Sequence, residues 1–597
     1  MGKYWIVRRC VGAALIGGML LSFGCAWAGQ IRAEKTGAEQ MAAGEFDAYV
    51  DEMFRESVVK NTINLHYTLA HPENYGIGDY EVSLGEISME EVEKNYEELH
   101  ALEEELSQFD KEALREDQRI TYDILMDYAE TELSVEDMIL YTEFLRPTGG
   151  YQSQLPVVLA EYTFRTRQDI EDCLTLTEEM DDLFADVIAF EKQKAQAGLF
   201  MPDYTVDALI VQCDKFVEDP QSNYMIEVFN DKIDKFDGLS EEERQSYKER
   251  NTEFVTTQVT DGFRMLSEEL SALRGSGKNE LGLCHYADGK KYYEYLVRTA
   301  TGSDDSVNQM MDRTEQFIRT GLNEMRLLFT ENPQLLERSD NYEFPVKEPG
   351  AIMEDLMAKV AKDFPEPPKT AYTIKYVAPS MQEFMNPAFY MMTPVDDSQN
   401  NVIYINEKYL GDGALMDLYP TMAHEGYPGH LYQNCYTNSC DLPLIRNMFS
   451  YSGYAEGWAT YVEHYSYGIS GLESELAKLI SVNEALTLGL YAYVDMGIHY
   501  KGWDRADVAD YLKSYGIADG AAVDEMFETI VGDPANYLSY FIGYLEMRDL
   551  RETAQKALGE KFVLKDFHQF LLETGPAPFY IIEDYMRDWI KEQKQGR

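Results

Sequence analysis

His424-Glu425-Gly426-Tyr427-Pro428-Gly429-His430 brings two imidazoles, a carboxylate and a helix-breaking dipeptide into one short stretch. Glu456, which opens Glu456-Gly457-Trp458-Ala459, lies 26 residues after His430. Two histidines and a glutamate around an open coordination position are the donors of a catalytic zinc ion. Structural zinc sites are closed and usually rich in cysteine. Glu425 adjoins the first histidine, where it can act as general base on metal-activated water. The spacing is irregular: zinc-binding helices commonly set their histidines four residues apart, and here that position is Pro428. On an ideal helix, six residues turn the chain by about 600°, which leaves His430 about 120° away from His424. Pro428 also lacks the N–H that would bond the carbonyl of His424. Spacing and breaker therefore explain each other: Pro428-Gly429 should break or widen the helix so that His430 returns beside His424. Pro420 suits the first turn of that helix, where its missing N–H costs nothing.

A second helix should begin at Glu456 and carry Glu456, Thr460 and Glu463 on one face. Glu456 is then the third ligand, and Glu463 can accept an N–H from a ligating histidine. The competing reading makes His424 and His430 ordinary surface or capping histidines and Glu456 a salt-bridge partner. With only nine histidines in the chain, two at the ends of one motif beside a glutamate favour the metal. His66, His71, His100, His285 and His499 are isolated and read as structural; His464 reads as a neighbour of Glu463.

Around this motif, helical periodicity dominates. Ser88 and Glu91 form a capping box that opens a run to about Phe109, and Ser240 with Glu243 opens another towards Arg274. Further helical runs cover about Arg167–Ala197, Asp304–Phe329, Leu472–Tyr500, Asp504–Tyr515, Tyr537–Leu558 and Leu564–Glu573. Three short segments, Tyr372–Val377, Ala388–Met392 and Asn401–Asn406, are instead rich in β-branched and aromatic residues. With a turn at Asp396–Asn400, they predict a small antiparallel sheet just before the histidine motif. Such a sheet either completes the core or offers an edge strand to an extended peptide.

The chain has 597 residues, 45% of them hydrophobic and 13% aromatic, so it is globular. Its 106 acidic residues against 52 basic ones give a net charge of −54. That balance excludes nucleic acid as a partner, since a duplex would be repelled, and disfavours a polybasic membrane contact. Residues 1–28 read as an export signal: Lys3, Arg8 and Arg9, an apolar run from Val11 to Leu21, then Ala26-Trp27-Ala28 as a cleavage site. Lipidation of Cys25 competes with simple cleavage and is the one membrane attachment the sequence offers. Five cysteines remain outside the signal, too few for a disulfide scaffold; Cys435 and Cys440 could pair locally, but burial as small hydrophobes is the favoured reading.

The histidine motif and the downstream segments Glu456-Gly457-Trp458-Ala459-x-Tyr461-x-Glu463, Pro534, Tyr540-x-x-Gly543, Leu550-Arg551 and Phe567-His568-x-x-Leu571-Leu572-x-x-Gly575-x-x-Pro578 resemble the bacterial family catalogued as domain of unknown function 885. The resemblance covers most of the mature chain and is most specific after about residue 370. It implies a zincin-like, gluzincin-type metallopeptidase: mainly α, a large helical fold with a small antiparallel β-sheet beside a deep active-site cleft. The family usually shows two consecutive histidines after Pro-Gly. Here Leu431 comes after His430, and His430 keeps the ligand role.

The expected organisation is a signal peptide over 1–28 and one helical domain over 29–597, in two lobes of about 45–365 and 366–597. The expected activity is peptide-bond hydrolysis by an exported zinc enzyme with one zinc per chain, held by His424, His430 and Glu456, with Glu425 as base. Tyr540 is the first candidate for the oxyanion donor, with Tyr544 and His568 as alternatives. Arg548 or Arg551 could hold a substrate carboxylate, although ion pairs with Glu546 or Asp549 compete. Tyr390 and Tyr544 complete the substrate-binding candidates. Two other functions compete: an inactive peptide-binding lipoprotein on the same scaffold, and a zinc amidohydrolase acting on non-peptide amides.

Overall fold

The computed structural model describes residues 43–596, apart from 380, 383–384 and 411–415. Residues 1–28, expected to form an export signal with Cys25 and a cleavage site, lie outside the described residues. The chain is mainly helical. Ser88 caps the helix Met89–Leu106 by accepting the N–H of Glu91 at 3.1 Å. Ser240 and Glu243 cap each other at the start of Glu241–Phe254, and three glutamates in its first turn match the positive end of the helix dipole. The run from Arg167 is two helices, Arg167–Glu178 and Met180–Ala197. No described helix is long and apolar enough to cross a membrane.

The sheet comprises β1 (Tyr372–Tyr376), β2 (Ala388–Met391) and β3 (Asn401–Ile405) in the order β1-β3-β2. β2 and β3 form the expected antiparallel hairpin, with Tyr390 opposite Ile403. β1 instead runs parallel to β3, with Ile374 opposite Ile403. The sheet is therefore mixed rather than wholly antiparallel. Alternation reports which side chains share a face, not the direction of the neighbour, and β3 inserts between the two strands that precede it. Its period of two also explains its apolar character. Tyr390, Ile403 and Ile405 face the largest core, whereas Phe389 and Tyr404 face a second core built from residues such as Leu174, Phe184 and Leu266. The largest core draws on residues from Phe46 to Ile590, on both sides of position 365.

Five helices surround and support the site: α1 (Leu418–Glu425), α2 (His430–Ser439), α3 (Ser452–Tyr467), α4 (Asn536–Leu558) and α5 (Leu564–Thr574). α3 and α4 approach backbone to backbone. A Cβ on Gly457 would lie 2.7 Å from the Cα of Gly543, and a Cβ on Gly543 would lie 3.0 Å from the Cα of Gly457. Only hydrogens at both positions permit this approach, which brings Tyr540 of α4 alongside Glu456 of α3.

Candidate metal centre

α1 ends at Glu425, and α2 starts at His430. Between them Gly426 (φ −110, ψ −103) and Gly429 (φ −81, ψ −135) leave helical geometry, and the Tyr427–Pro428 peptide is cis. A Cβ on Gly429 would collide with the carbonyl oxygen of His424, so glycine is what lets the chain double back against the last turn of α1. The turn is pinned from both sides. The N–H of Gln433 donates to the Gly429 carbonyl at 2.8 Å, and the indole N–H of Trp458 on α3 donates to the Pro428 carbonyl at 2.8 Å.

The two imidazoles consequently meet, with ring centroids 4.8 Å apart and planes at 80°. Glu456 lies between them. His424 Nε2 is 3.5 Å from one of its carboxylate oxygens, and His430 Nε2 is 3.4 Å from the other. One donor atom from each of His424, His430 and Glu456 falls within 4.8 Å of the other two. On the far side of His424, Nδ1 lies 3.1 Å from Glu463. An N–H donated there leaves Nε2 as the free donor atom facing Glu456 and His430.

Glu456 is 1% exposed, and neither of its oxygens makes a conventional hydrogen bond. A carboxylate so placed costs several kcal/mol, on the order of the ionic desolvation penalty, unless positive charge faces it. Burial raises its pKa, but the facing His430 and His424 outweigh burial and hold it at about 2. Burial lowers His424, yet Glu456, Glu463 and Glu425 together hold its imidazole well above the ordinary range. The pocket thus concentrates negative charge on two convergent imidazoles. Two nitrogens, a carboxylate and these orphaned oxygens fit a divalent cation of zinc's preferences.

Glu425 is held by its Oε2, which accepts the backbone N–H of Tyr390 on β2 at 2.9 Å. Burial lifts its carboxyl above the usual range, against the pull of His424 and His430. Tyr540 stacks at 6.5 Å from His424. Burial, then the charges of Glu456 and Glu425, keep its phenol protonated and therefore a donor. His424, Glu425, His430, Glu456, Tyr390 and Tyr540 all line one cavity of about 220 Å³.

Other candidates from the sequence lie elsewhere. The Tyr390 hydroxyl is occupied, donating to Asn401 at 2.7 Å and accepting from Asn434 at 3.0 Å, so this residue contributes its ring and its N–H. Tyr544 packs on His464 and Phe317 and does not line the cavity. Arg548 lies over Phe317 and Tyr544 and pairs with Glu552 rather than with Glu546 or Asp549, both of which bind Arg313. Arg551 donates to the Tyr461 hydroxyl at 3.1 Å. His568 is fully buried, with Nε2 facing the Tyr461 hydroxyl at 2.9 Å and Nδ1 facing the Asp363 carbonyl at 2.7 Å. The structure thus places Tyr544, Arg548, Arg551 and His568, expected as catalytic or substrate-binding residues, among these partners and outside the lining of that cavity. The isolated His66 and His499 are buried with backbone partners. His464 faces Ser481. The five described cysteines are free. Arg446 lines the cavity without any motif to signal it.

The sequence profile of the family described as "Bacterial protein of unknown function (DUF885)" matches residues 73–586. No curated protein matches the chain in sequence. Solved structures that share its fold include the following two. One is a protein of Colwellia psychrerythraea, provisionally described as a lipoprotein, at 20% identity and TM-score 0.81, covering 92% of this chain and all of its own. The other, from Shewanella oneidensis, is provisionally described as a lipoprotein of unknown function. It is 16% identical with TM-score 0.61, again covering 92% of this chain and all of its own.

Proposed function

Because the chain belongs to DUF885, a family whose description leaves the reaction open, we propose the activity from the site itself: a zinc-dependent metallopeptidase that hydrolyses peptide bonds of oligopeptides. The observation that carries this reading is the convergence of His424, His430 and Glu456 within 4.8 Å, beside Glu425 in one cavity. His424 Nε2, His430 Nε2 and a Glu456 oxygen would hold the ion. When bound, zinc supplies Lewis acidity and lowers the pKa of water towards neutrality. The chain's own groups do the rest. Glu425, fixed by the Tyr390 N–H, takes a proton from the attacking water and returns it to the leaving amine as the C–N bond breaks. The Tyr540 phenol donates to the oxyanion that forms on the scissile carbonyl. β2 is a sheet edge in the cavity wall, suited to align an extended substrate by main-chain pairing.

The same reading includes export, on the basic and apolar N-terminal segment, with Cys25 as the alternative lipid anchor. The test is a peptide library read by mass spectrometry on purified, metal-analysed protein. Cleavage by wild type with about one zinc per chain, and none by Glu425→Gln, is expected. Equal cleavage by the two proteins would remove the mechanism.

A further inference from the structure

Arg446 shares the cavity of His424, Glu425, His430 and Glu456. It sits in the short turn Leu444–Met448 and is only 5% exposed. Its Nη2 donates to the carbonyls of Thr574 at 2.6 Å and Pro576 at 2.9 Å. Its Nε is buried with no acceptor. Among the described residues no carboxylate pairs with it; the groups that act on its charge are the phenols of Tyr451, Tyr454 and Tyr585. Scarcity of acids is not the cause in a chain with 106 of them. Arg313, in contrast, binds Asp305, Glu546 and Asp549 at once.

A buried guanidinium with unmet donors is costly, and removing the imbalance by an internal acid would be simple. Arg446 lines the cavity wall with one donor unpaired and no internal acid to neutralise it, which favours an anion brought by the ligand. A planar fork in a poorly solvated wall binds a carboxylate more strongly than it would in water. The cavity, at about 220 Å³, is smaller than the roughly 300–1,000 Å³ of common small-molecule pockets. The anion and the bond to be cut would then occupy the same cavity.

We propose that Arg446 binds the C-terminal carboxylate of the substrate, so that the chain cleaves near the C-terminal end of short peptides. This rests on the peptidase reading above.

The test uses the zinc-loaded full protein and three probes: the tripeptide Ala-Ala-Phe, its C-terminal amide, and the amide of Ala-Glu-Phe. Wild type should favour the free acid over its amide by about 100-fold in kcat/KM, chiefly through KM, as expected for loss of a charged hydrogen bond. Arg446→Gln should cleave acid and amide alike, and Arg446→Lys should fall between. A role confined to holding Thr574 and Pro576 would lower stability but leave the acid-over-amide preference intact. Equal rates of wild type on acid and amide would overturn the proposal, and so would a preference for the Ala-Glu-Phe amide, which would point to a side-chain carboxylate. If wild type cleaves none of the probes, calorimetric titration with the same acid and amide decides. Tighter binding of the acid by wild type but not by Arg446→Gln upholds Arg446 while the peptidase reading falls; equal or absent binding removes both.

Discussion

His424 and His568 are both buried imidazoles with a tyrosine nearby, and they differ in what faces their ring nitrogens. Both nitrogens of His424 look at carboxylates, Glu456 and Glu463. Those of His568 look at a hydroxyl and a backbone carbonyl, with the ring stacked on Phe364 at 4.1 Å. Burial alone lowers a histidine, and His568 sits at about 3, the Asp363 carbonyl failing to offset it. In the His424 pocket the carboxylates reverse the sign. One pocket is neutral and complete. The other sets carboxylates against an imidazole and so favours positive charge there. Burial, aromatic neighbours and residue type are shared, so the carboxylates mark the site.

The contrast breaks most visibly at Glu456. Glu456→Gln should drop zinc from about one per chain to roughly a tenth or less, by plasma emission analysis, and abolish peptide cleavage. His568→Gln should keep its zinc. Equal metal content in the two variants would show that the carboxylates do not distinguish the pockets. Glu425→Gln should retain metal yet lose about 10²–10⁴-fold in kcat, the usual weight of a general base. Loss of metal together with activity would instead make Glu425 a ligand.

The two pockets are not equally legible from residues alone. The break after Glu425 is legible because a proline removes a helical hydrogen bond and six residues are the wrong arc for one face. Capping at Ser88 and Ser240 is legible from local side-chain chemistry. Both are short-range effects. The role of His568 is not legible, because a histidine on a helix carries no sign of whether its partners are neutral or charged. α4 misleads in another way. Tyr540, Tyr544, Arg548 and Arg551 recur at helical spacing on one face, but Tyr544 lies about 6 Å and Arg551 about 16 Å further along the axis than Tyr540. Periodicity reports the face and is silent on how far along it a cavity extends. The parallel pairing of β1 and the arrival of Arg446 are likewise long-range outcomes.

That distance along α4 yields a smaller effect. Tyr540→Phe should lower kcat by about 10²–10³-fold with KM little changed, as for removal of one oxyanion donor. Tyr544→Phe, one turn away, should stay near wild type. If both variants match wild type, the oxyanion is stabilised without α4.

The smallest expected effect lies in the neutral pocket and is read in stability rather than rate. His568 is held at about 3 by burial, while the unfolded chain titrates near the ordinary 6.5. A base whose folded pKa is depressed contributes stability that is complete above the unfolded pKa and is lost as pH falls below it. Between pH 6.5 and about 3 the unfolded chain binds the extra proton. At pH 5 this should cost wild type on the order of 2 kcal/mol relative to pH 7 or above, from the roughly 1.4 kcal/mol per unit of linkage. Arg551, Asp363 and Tyr461 surround the ring, and none of them removes the sign. His568→Gln lacks the titrating group. It should be less stable than wild type at pH 7, from disturbed packing against Phe364 and Trp458, and the gap should narrow as pH drops to 5. Urea midpoints at the two pH values measure it. A gap that widens on acidification would mean that His568 is protonated in the fold, which would erase the difference between the two pockets.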